Sequence, residues 1–395
     1  MRTSGAYHAT ESMPTASVRP TVLHLGRFAD PKAGGIPRHV SQLLSSLAPR
    51  IRVANLVASR DARTHETSEN GYPVIEAACL GLMAGTAIAP RMIPLAHQLL
   101  RRLNADIVHL HFPDPLSMLV ALSLPRTVHL VATWHSDVVR QKTALRLIQP
   151  LMHRVLARTS ALIGATRALF DTSEQLDAVA AERRHVIPYG INVDGVDNPA
   201  SRAAGERLRA GLGATPIILG AGRQVGYKGF DVLIEAMALV PQARLVLCGR
   251  GDQTAALKRQ VAALGIGERV IFTGEVDDAE LAAWFQACDV FCMPSVTRAE
   301  TFGLVQLEAM SCAKPVVVTR LGNGVNEVHV DGINGLAVPV RDPGALAQAL
   351  QRLIADAGLR HAMGQASRER VLQQYTIEQM RDATLAIYES VRVAR

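Results

Sequence analysis

The chain has 395 residues, 48% of them hydrophobic and 19% charged, which is typical of a globular protein long enough for two domains. No apolar run approaches the roughly 20 residues that a membrane-spanning helix needs. Residues 1–20 are rich in Ser, Thr, Ala and Pro and lack the apolar core of a signal peptide, so we predict a disordered leader on a cytoplasmic protein.

The net charge of +7 is concentrated in the first half of the chain. Residues 1–197 carry 21 Lys+Arg against 15 Asp+Glu, whereas residues 198–395 carry 21 against 20. A basic surface of this kind suits nucleic acid, an anionic membrane or a phosphorylated acceptor. No nucleic-acid-binding motif accompanies the charge, so we predict no nucleic-acid partner.

Five cysteines lie mostly in apolar runs, at positions 79, 248, 288, 292 and 312. An odd number without CxxC pairs indicates buried thiols in a reducing compartment. Cys288 and Cys292 lie four residues apart but have no neighbouring His or second Cys pair, so we predict no metal site there.

Short apolar runs alternate with amphipathic stretches through the first half of the chain. The strands that we predict there are Thr21–Gly26, Val53–Val57, Ile107–His111, Val128–Thr133 and Ala161–Ala165. Continuous Val/Ile/Leu runs without alternation are typical of strands buried on both faces, and they indicate a parallel sheet covered by helices.

A glycine pair, Gly34-Gly35, follows the first predicted strand and begins a helix. Glycine lets the backbone approach a ligand closely, although an ordinary strand–helix turn would use the same residues. Two histidines, His111 and His135, end predicted strands at the sheet edge. A lone histidine is usually structural; we interpret His135, in TWHSD, as functional and leave His111 open.

The stretch Val138–Arg158 combines an apolar stripe with basic residues, among them Arg140, Lys142 and Arg146. One interpretation is a packed helix with a solvated basic face. The other is a surface that contacts an anionic membrane. Both remain open from the sequence.

A polar stretch, Asp194–Gly213, predicts the boundary between two domains. The second half repeats the strand–helix alternation, and its predicted strands are Ile217–Gly222, Arg244–Cys248, Val270–Thr273, Val290–Met293 and Pro315–Thr319. We therefore predict two doubly wound α/β domains, with a final helix, Ile377–Val393, of the kind that crosses back to the first domain.

The segment IILGAGRQVGYKGFD follows the boundary and places Arg223 and Lys228 in a glycine-rich turn after a strand. Two fixed cations at a cleft would stabilise charge on a leaving diphosphate. The glycines also suggest an NADP-binding turn, but their spacing departs from GxGxxG, and a plain surface loop is the other alternative.

A second chemically distinctive segment, SVTRAETFGLVQLEAMSC, runs from a predicted strand through a loop into a helix. Glu300 precedes the helix, Gly303 lies at its start and Glu308 lies inside it. A helix N-terminus at the carboxyl edge of a parallel strand favours phosphate, and a flanking carboxylate accepts hydrogen bonds from sugar hydroxyls.

These two segments together resemble family 4 retaining glycosyltransferases. Glu300 and Glu308 resemble the family's E-x7-E motif, and GRQVGYKG resembles its G-R-x(3–4)-K-G pattern. The resemblance runs from about Thr21 to the C-terminus, and HSDVVRQK, VGYKG and GINGLAVP are most similar to bacterial mannosyl- and rhamnosyl-type transferases of surface polysaccharide assembly. Residues 323–326 depart from the family's Gly/Thr/Ser-rich turn, which leaves the donor sugar open.

The resemblance implies a GT-B fold of two facing Rossmann-like domains. Residues 21–197 would bind the acceptor, residues 198–376 the nucleotide-sugar donor, and residues 377–395 would form the returning helix. The residues implied in catalysis are Glu300 and His135 at the transferred sugar, and Arg223 and Lys228 at the leaving phosphate. Those implied in donor binding are Gly35, Gly249, Arg250, Phe302, Gly303, Leu304 and, at the ribose, Glu308.

The resemblance also implies the reaction that the enzyme would catalyse. Mannose from GDP-mannose would pass, with retention of configuration and without a metal or other cofactor, to a glycan or polyprenyl-diphosphate-linked acceptor. The enzyme would act in the cytoplasm, peripherally at the inner face of the cell membrane, in O-antigen or exopolysaccharide synthesis. The alternatives are a UDP-sugar-dependent transferase, a sugar-nucleotide epimerase on the same fold, and a binding module without turnover.

Overall fold

The structure is a computed structural model that describes residues 19–31, 34–83, 86–137, 142–177 and 179–393, without the side chains of residues 142–147. Most of the predicted leader, Ala33 beside the glycine pair, and Val138–Gln141 of the basic stretch lie outside the described residues. Within the described part of the chain, no helix has the length and apolar character needed to cross a membrane. All five cysteines are buried free thiols.

The first domain is an eight-stranded sheet flanked by helices. Its strands are β1 (Thr21–Leu25), β2 (Arg52–Ala58), β3 (His65–Glu69), β4 (Tyr72–Ala77), β7 (Ile107–Phe112), β8 (His129–Trp134), β9 (Ala161–Gly164) and β10 (Arg184–Val186), with a small hairpin of β5 (Leu82–Met83) and β6 (Thr86–Ala87). Its helices are α1 (Gly35–Leu47), α2 (Met92–Leu103), α3 (Pro115–Ser123), α4 (Lys142–Arg158), α5 (Arg167–Thr172) and α6 (Val193–Val196).

The strand order of this sheet is β10-β9-β8-β7-β1-β2-β4-β3, and every pair is parallel except β3 with β4. The chain winds outward from β1 in one direction and then from β7 in the other. The β1/β7 junction is therefore the topological switch point, where open α/β sheets bind ligands at their carboxyl edge.

The antiparallel pair departs from the all-parallel sheet that we predicted. Asn70 and Gly71 form the turn between β3 and β4 with φ of 47° and 85°. An Asn-Gly pair with two positive φ angles is the preferred two-residue hairpin turn. The polar strand HETSE is largely exposed at the sheet edge, so it lacked the apolar pattern from which we predicted strands.

The second domain is a six-stranded, fully parallel sheet of order β13-β12-β11-β14-β15-β16. Its strands are β11 (Ile217–Ala221), β12 (Arg244–Cys248), β13 (Val270–Gly274), β14 (Val290–Met293), β15 (Val316–Thr319) and β16 (Gly335–Val338). Its helices are α7 (Pro199–Leu212), α8 (Phe230–Ala238), α9 (Thr254–Ala263), α10 (Asp278–Ala287), α11 (Leu304–Ser311), α12 (Gly324–Val328), α13 (Pro343–Ala355) and α14 (Ala357–Gln374). The switch point here is the β11/β14 junction.

The last helix, α15 (Ile377–Val393), packs against α1 and β8 of the first domain. The chain crosses between the domains at residues 191 and 375–377, where the backbones of the two crossing segments exchange hydrogen bonds. Tyr388, in α15, is fully buried and hydrogen-bonds with histidines of the first sheet. The C-terminal helix is therefore part of the first domain's core.

Candidate functional site

Lys228 and Glu300 meet at the switch point of the second sheet. Lys228 follows β11 and Glu300 follows β14, and the Lys228 Nζ–Glu300 Oε2 distance is 2.5 Å. Their side chains are 11% and 10% exposed, so this ion pair is largely withdrawn from water. Ser295 Oγ donates a second hydrogen bond to Glu300 Oε2 at 3.2 Å.

The charge of Lys228 is maintained by its carboxylate partner. Burial by itself disfavours the ammonium form, but Glu300 outweighs burial and the pKa of Lys228 is raised. Arg223 lies near enough to act on the Lys228 charge, and it is exposed. The site therefore holds a fixed buried cation with a second cation at its rim.

Close backbone contacts hold the loops of this site together. Gly229 has φ of 68°, and a Cβ there would lie 2.1 Å from the Pro294 carbonyl oxygen. Gly249 has φ of 116°, and a Cβ there would lie 2.2 Å from the Gly222 carbonyl oxygen. Only glycine fits either position, so the loops after β11, β12 and β14 pack as one unit. Arg250 is exposed beside Gly274, at the end of β13.

Helix α11 begins four residues after Glu300. Gly303 is its N-cap, with φ of 74°, and the first helical residue is Leu304. Phe302 is buried, with its ring 4.9 Å from the Tyr189 ring of the first domain. Phe302 thus joins the domains through its side chain, while the helix start next to it presents free backbone N–H groups.

Asn323, in the segment that departs from the family's turn, supports Glu300. Its side-chain amide donates to the Glu300 carbonyl oxygen at 2.6 Å. Its side-chain oxygen accepts from the Val325 backbone N–H at the start of α12. Asn323, which departs from the family's pattern, therefore fixes the backbone of Glu300, the predicted sugar-binding residue.

Glu308 faces the first domain. Its Oε1 atom accepts a hydrogen bond from the Arg38 guanidinium at 2.7 Å, and Arg38 also lies 3.4 Å from Asp278. The Glu308 side chain is 4% exposed. Burial raises the pKa of this carboxyl, while Arg38 lowers it. Sequence analysis did not identify Arg38, although it lies one turn after Gly34-Gly35.

The glycine pair leaves open space at the start of α1. A Cβ at Gly34 or Gly35 would meet no atom of the described residues within 4 Å. Gly34 is the N-cap of α1 and has φ of 154°. The pair therefore permits a ligand to approach the N-terminal backbone of α1 from the side of the second domain, where Arg38 reaches Glu308.

His135 lies at the carboxyl end of β8, 4% exposed, with both ring nitrogens engaged. Nδ1 is 2.5 Å from the Tyr189 hydroxyl, and Nε2 is 3.1 Å from His111 Nδ1. The bonds continue into the first domain and form a single chain, which we call the histidine chain: Tyr189–His135–His111–His24–Tyr388–His109–Thr133. Burial lowers the pKa of the four histidines, so all are neutral imidazoles.

A fifth histidine, His39, is buried beside this chain, and neither of its ring nitrogens has a hydrogen-bond partner among the described residues. Two overlapping groups have nitrogens close enough to share a metal ion: His24, His109 and His111, and His39, His111 and His135. The nitrogens of the first group hydrogen-bond within the histidine chain, and no carboxylate belongs to either group within the described part of the chain. The cluster is therefore neutral and saturated by its own bonds, apart from His39.

Sequence analysis missed most of this cluster. His109 and His111 are two residues apart, as are Thr133 and His135, and period two puts each pair on one face of its strand. That signal predicts a polar stripe on one sheet face. It does not predict His24 and Tyr388 as the connecting members, because their positions depend on strand order and on the return of α15.

The comparisons with known proteins cover both domains. The model of the family "Glycosyltransferase Family 4" matches residues 33–194, and that of "Glycosyl transferases group 1" matches residues 209–370. A D-rhamnosyltransferase of Pseudomonas aeruginosa, WbpZ, is 34% identical over 69% of this chain and 70% of its own length. The chain belongs to the family 4, group 1 glycosyltransferases. It is accordingly an enzyme, a glycosyltransferase of the hexosyltransferase class.

Other relatives of this glycosyltransferase extend over nearly the whole chain. O-antigen chain mannosyltransferase C of Escherichia coli is 29% identical over 94% of this chain and 98% of its own. Sucrose-phosphate synthase of Thermosynechococcus elongatus superposes with a TM-score of 0.79 at 25% identity, covering 95% of this chain and all of that one. The predicted GT-B fold is confirmed.

Proposed function

We propose that this glycosyltransferase transfers mannose from GDP-mannose, with retention of configuration, to a glycan or polyprenyl-diphosphate-linked acceptor in cell-surface polysaccharide synthesis. The observation that carries this proposal is the buried Lys228–Glu300 pair at the β11/β14 switch point, next to the N-terminus of α11. The relative from Escherichia coli is by its name an O-antigen mannosyltransferase, and WbpZ is a D-rhamnosyltransferase. The two names favour mannose or a deoxyhexose as the transferred sugar, and the first of them favours a surface-glycan acceptor.

Each part of the site has a separate task in this reaction. Glu300 accepts hydrogen bonds from hydroxyls of the donor sugar, and its ion pair with Lys228 holds the carboxylate in place. As the sugar–phosphate bond breaks, negative charge develops on the leaving diphosphate. Lys228, Arg223 and the N-terminus of α11 stabilise that charge, as preorganised donors do at an oxyanion. These cations serve in place of a metal ion, so the reaction proceeds without one.

The acceptor hydroxyl approaches from the first domain, on the same face of the sugar that the diphosphate leaves. The leaving phosphate takes the acceptor's proton as the new glycosidic bond forms, so configuration is retained without a covalent enzyme intermediate. Glu308 receives the donor ribose, and the ribose hydroxyls replace the Arg38 guanidinium as donors to its carboxylate. Gly249 and Arg250 shape the pocket for the base.

The donor is tested with purified protein and a polyprenyl-diphosphate-linked glycan acceptor. We expect nucleotide release with GDP-mannose to exceed that with UDP-glucose, UDP-GlcNAc and dTDP-rhamnose. A site built to hydrogen-bond particular hydroxyls rejects analogues strongly. Preference for a uridine donor would overturn the GDP-mannose assignment. This alternative is tested because a similar structure, HepE of Anabaena, is described in complex with UDP and glucose. HepE is 22% identical to this chain and superposes with a TM-score of 0.76.

Four further measurements test the rest of the proposal. NMR of the product gives its anomeric configuration, and an inverted product would overturn retention. Activity is expected to persist in EDTA, whereas strict dependence on added Mn²⁺ or Mg²⁺ would overturn the metal-free assignment. Nucleotide release without consumption of acceptor would favour an epimerase, and donor binding without any turnover would favour a binding module.

We also propose that the enzyme attaches peripherally to an anionic membrane through its first domain. Residues 77–170 carry ten Lys+Arg against three Asp+Glu, an excess equal to that of the whole chain. In the same region the β5–β6 hairpin exposes Leu80, Leu82 and Met83 at 71%, 61% and 68%. Exposed apolar side chains in a region with an excess of basic residues match an anionic lipid surface, where the acceptor's polyprenyl chain would also lie.

A further inference from the structure

The histidine chain runs unbroken from the cleft to the C-terminal helix. Its six links have lengths between 2.5 and 3.2 Å, and each of the four imidazoles uses both ring nitrogens. Its members come from β1, β7, β8, α15 and the segment before α6, and all of them are buried. Water therefore does not compete for these bonds.

Such a chain has only two hydrogen-bonding directions. A neutral imidazole donates from one nitrogen and accepts at the other, so the direction of one bond determines the direction of the next. If Tyr388 donates to His109, then His24, His111 and His135 all carry their proton on Nε2. If Tyr388 donates to His24 instead, the same three histidines carry it on Nδ1.

We propose that Tyr388 is a positioning residue for His135. The Tyr388 hydroxyl lies 2.6 Å from His109 Nδ1 and 3.2 Å from His24 Nε2, and its single proton serves only one of them. Its orientation therefore fixes which nitrogen of His135, three bonds away, carries a proton at the cleft. This inference deepens the proposed function, and it rests on the contact with the transferred sugar that the family resemblance implies for His135.

The histidine chain connects the packing of α15 to the position of the proton on His135. Tyr388 lies 364 residues from His24 in the chain, and it reaches the first sheet only when α15 has crossed back. Without the Tyr388 hydroxyl, His24 and His109 each lose one partner, and the direction of the chain is no longer fixed. His135 then becomes a mixture of two tautomers. A wrong tautomer at a catalytic histidine is costly in other enzymes, as in the serine protease triad.

The test is ¹⁵N NMR of histidine-labelled protein without donor or acceptor, with the His135 signals assigned by their loss in His135→Gln. In the unmodified protein we expect one protonated and one unprotonated nitrogen on His135. In Tyr388→Phe we expect both shifts to move toward intermediate values. Tyr72→Phe is the matched control, since Tyr72 is a buried tyrosine of the same domain outside the chain and should leave the pattern unchanged.

An unchanged His135 pattern in a folded Tyr388→Phe protein would overturn the inference. Should that variant not fold, His24→Leu interrupts the chain between Tyr388 and His135, because an aliphatic side chain neither donates nor accepts a hydrogen bond, and the same shift is expected. Activity is measured separately. We expect kcat to fall at least about tenfold with little change in donor KM, by comparison with the triad. A changed tautomer with unchanged kcat would support the inference and refute the proposed role of His135.

Discussion

At the scale of single residues, the site is a small number of charges placed in surroundings that exclude water. Lys228 and Glu300 are 72 residues apart in sequence, and each is held by a loop that ends a strand. A coulombic contact is much stronger in a partly buried site than in water. The raised pKa of Lys228 keeps this cation charged throughout the physiological pH range.

We expect Lys228→Ala to lower kcat/KM by about 30- to 900-fold, the equivalent of about 2–4 kcal/mol, as for removal of an oxyanion-hole donor. Glu300→Gln should lower kcat far more than it raises donor KM, because its contact with the sugar strengthens in the transition state. Steady-state kinetics with varied donor measure both. The matched control is Lys258→Ala, an exposed lysine of α9. A Lys228→Ala enzyme as active as this control would refute the catalytic role of Lys228.

At the scale of elements, apolar runs in the sequence predict most of the strands. Two exceptions are the β3–β4 and β5–β6 hairpins. The β3–β4 hairpin follows from its Asn-Gly turn, a signal that apolar patterns do not include. The β5–β6 hairpin is different, because it exposes large apolar side chains for which the described structure provides no cover. Exposed apolar side chains of this kind are what the proposed membrane attachment requires.

We expect the double variant Leu82→Ser, Met83→Ser to bind anionic vesicles more than tenfold more weakly than the unmodified protein, since two buried apolar side chains contribute roughly 3–6 kcal/mol at most. Flotation with vesicles of anionic and of neutral lipid, across a salt series, measures this. Ile333→Ser, which removes a 58% exposed side chain of the second domain, is the control. Equal binding to neutral and anionic vesicles, or none to either, would contradict membrane attachment.

At the scale of the whole molecule, ion pairs join segments that are far apart in sequence. Asp197 lies in the segment that connects the two domains, and its carboxylate contacts Arg202, Arg368 and Gln286 of the second domain. Burial by itself would raise the pKa of Asp197, but the two arginines outweigh burial and lower it to about 2. The attachment of this connecting segment to the second domain is therefore sensitive to acid.

A carboxyl whose pKa is depressed on folding stabilises the protein above its unfolded pKa, near 3.8. This contribution, about 2 kcal/mol at pH 7, is lost as the pH falls from about 4 to 2. We expect Asp197→Asn to lower the free energy of unfolding at pH 7 and to flatten its decline below pH 4. Urea titrations at several pH values measure both effects, with the exposed Asp171→Asn as control. An identical pH dependence in the two variants would contradict this account.

The sequence by itself determined the local features of this protein. Ten apolar runs predicted strands that the structure places within about one residue, and the motifs around Lys228 and Glu300 predicted the family and the fold. These features depend on residues within about ten positions of one another, whose strand–loop–helix order is set by local patterns. The roles of the individual site residues stay predictions.

Only the tertiary structure decided which distant side chains meet. Arg38 contacts Glu308 across 270 residues, and Tyr388 contacts His24 across 364. Period two places His109, His111 and His135 on one face of their strands, but strand order decides that these strands are neighbours. Domain packing and the return of α15 supply Arg38 and Tyr388 with partners. Because such contacts form only after whole elements have packed, no local pattern in the chain contains them.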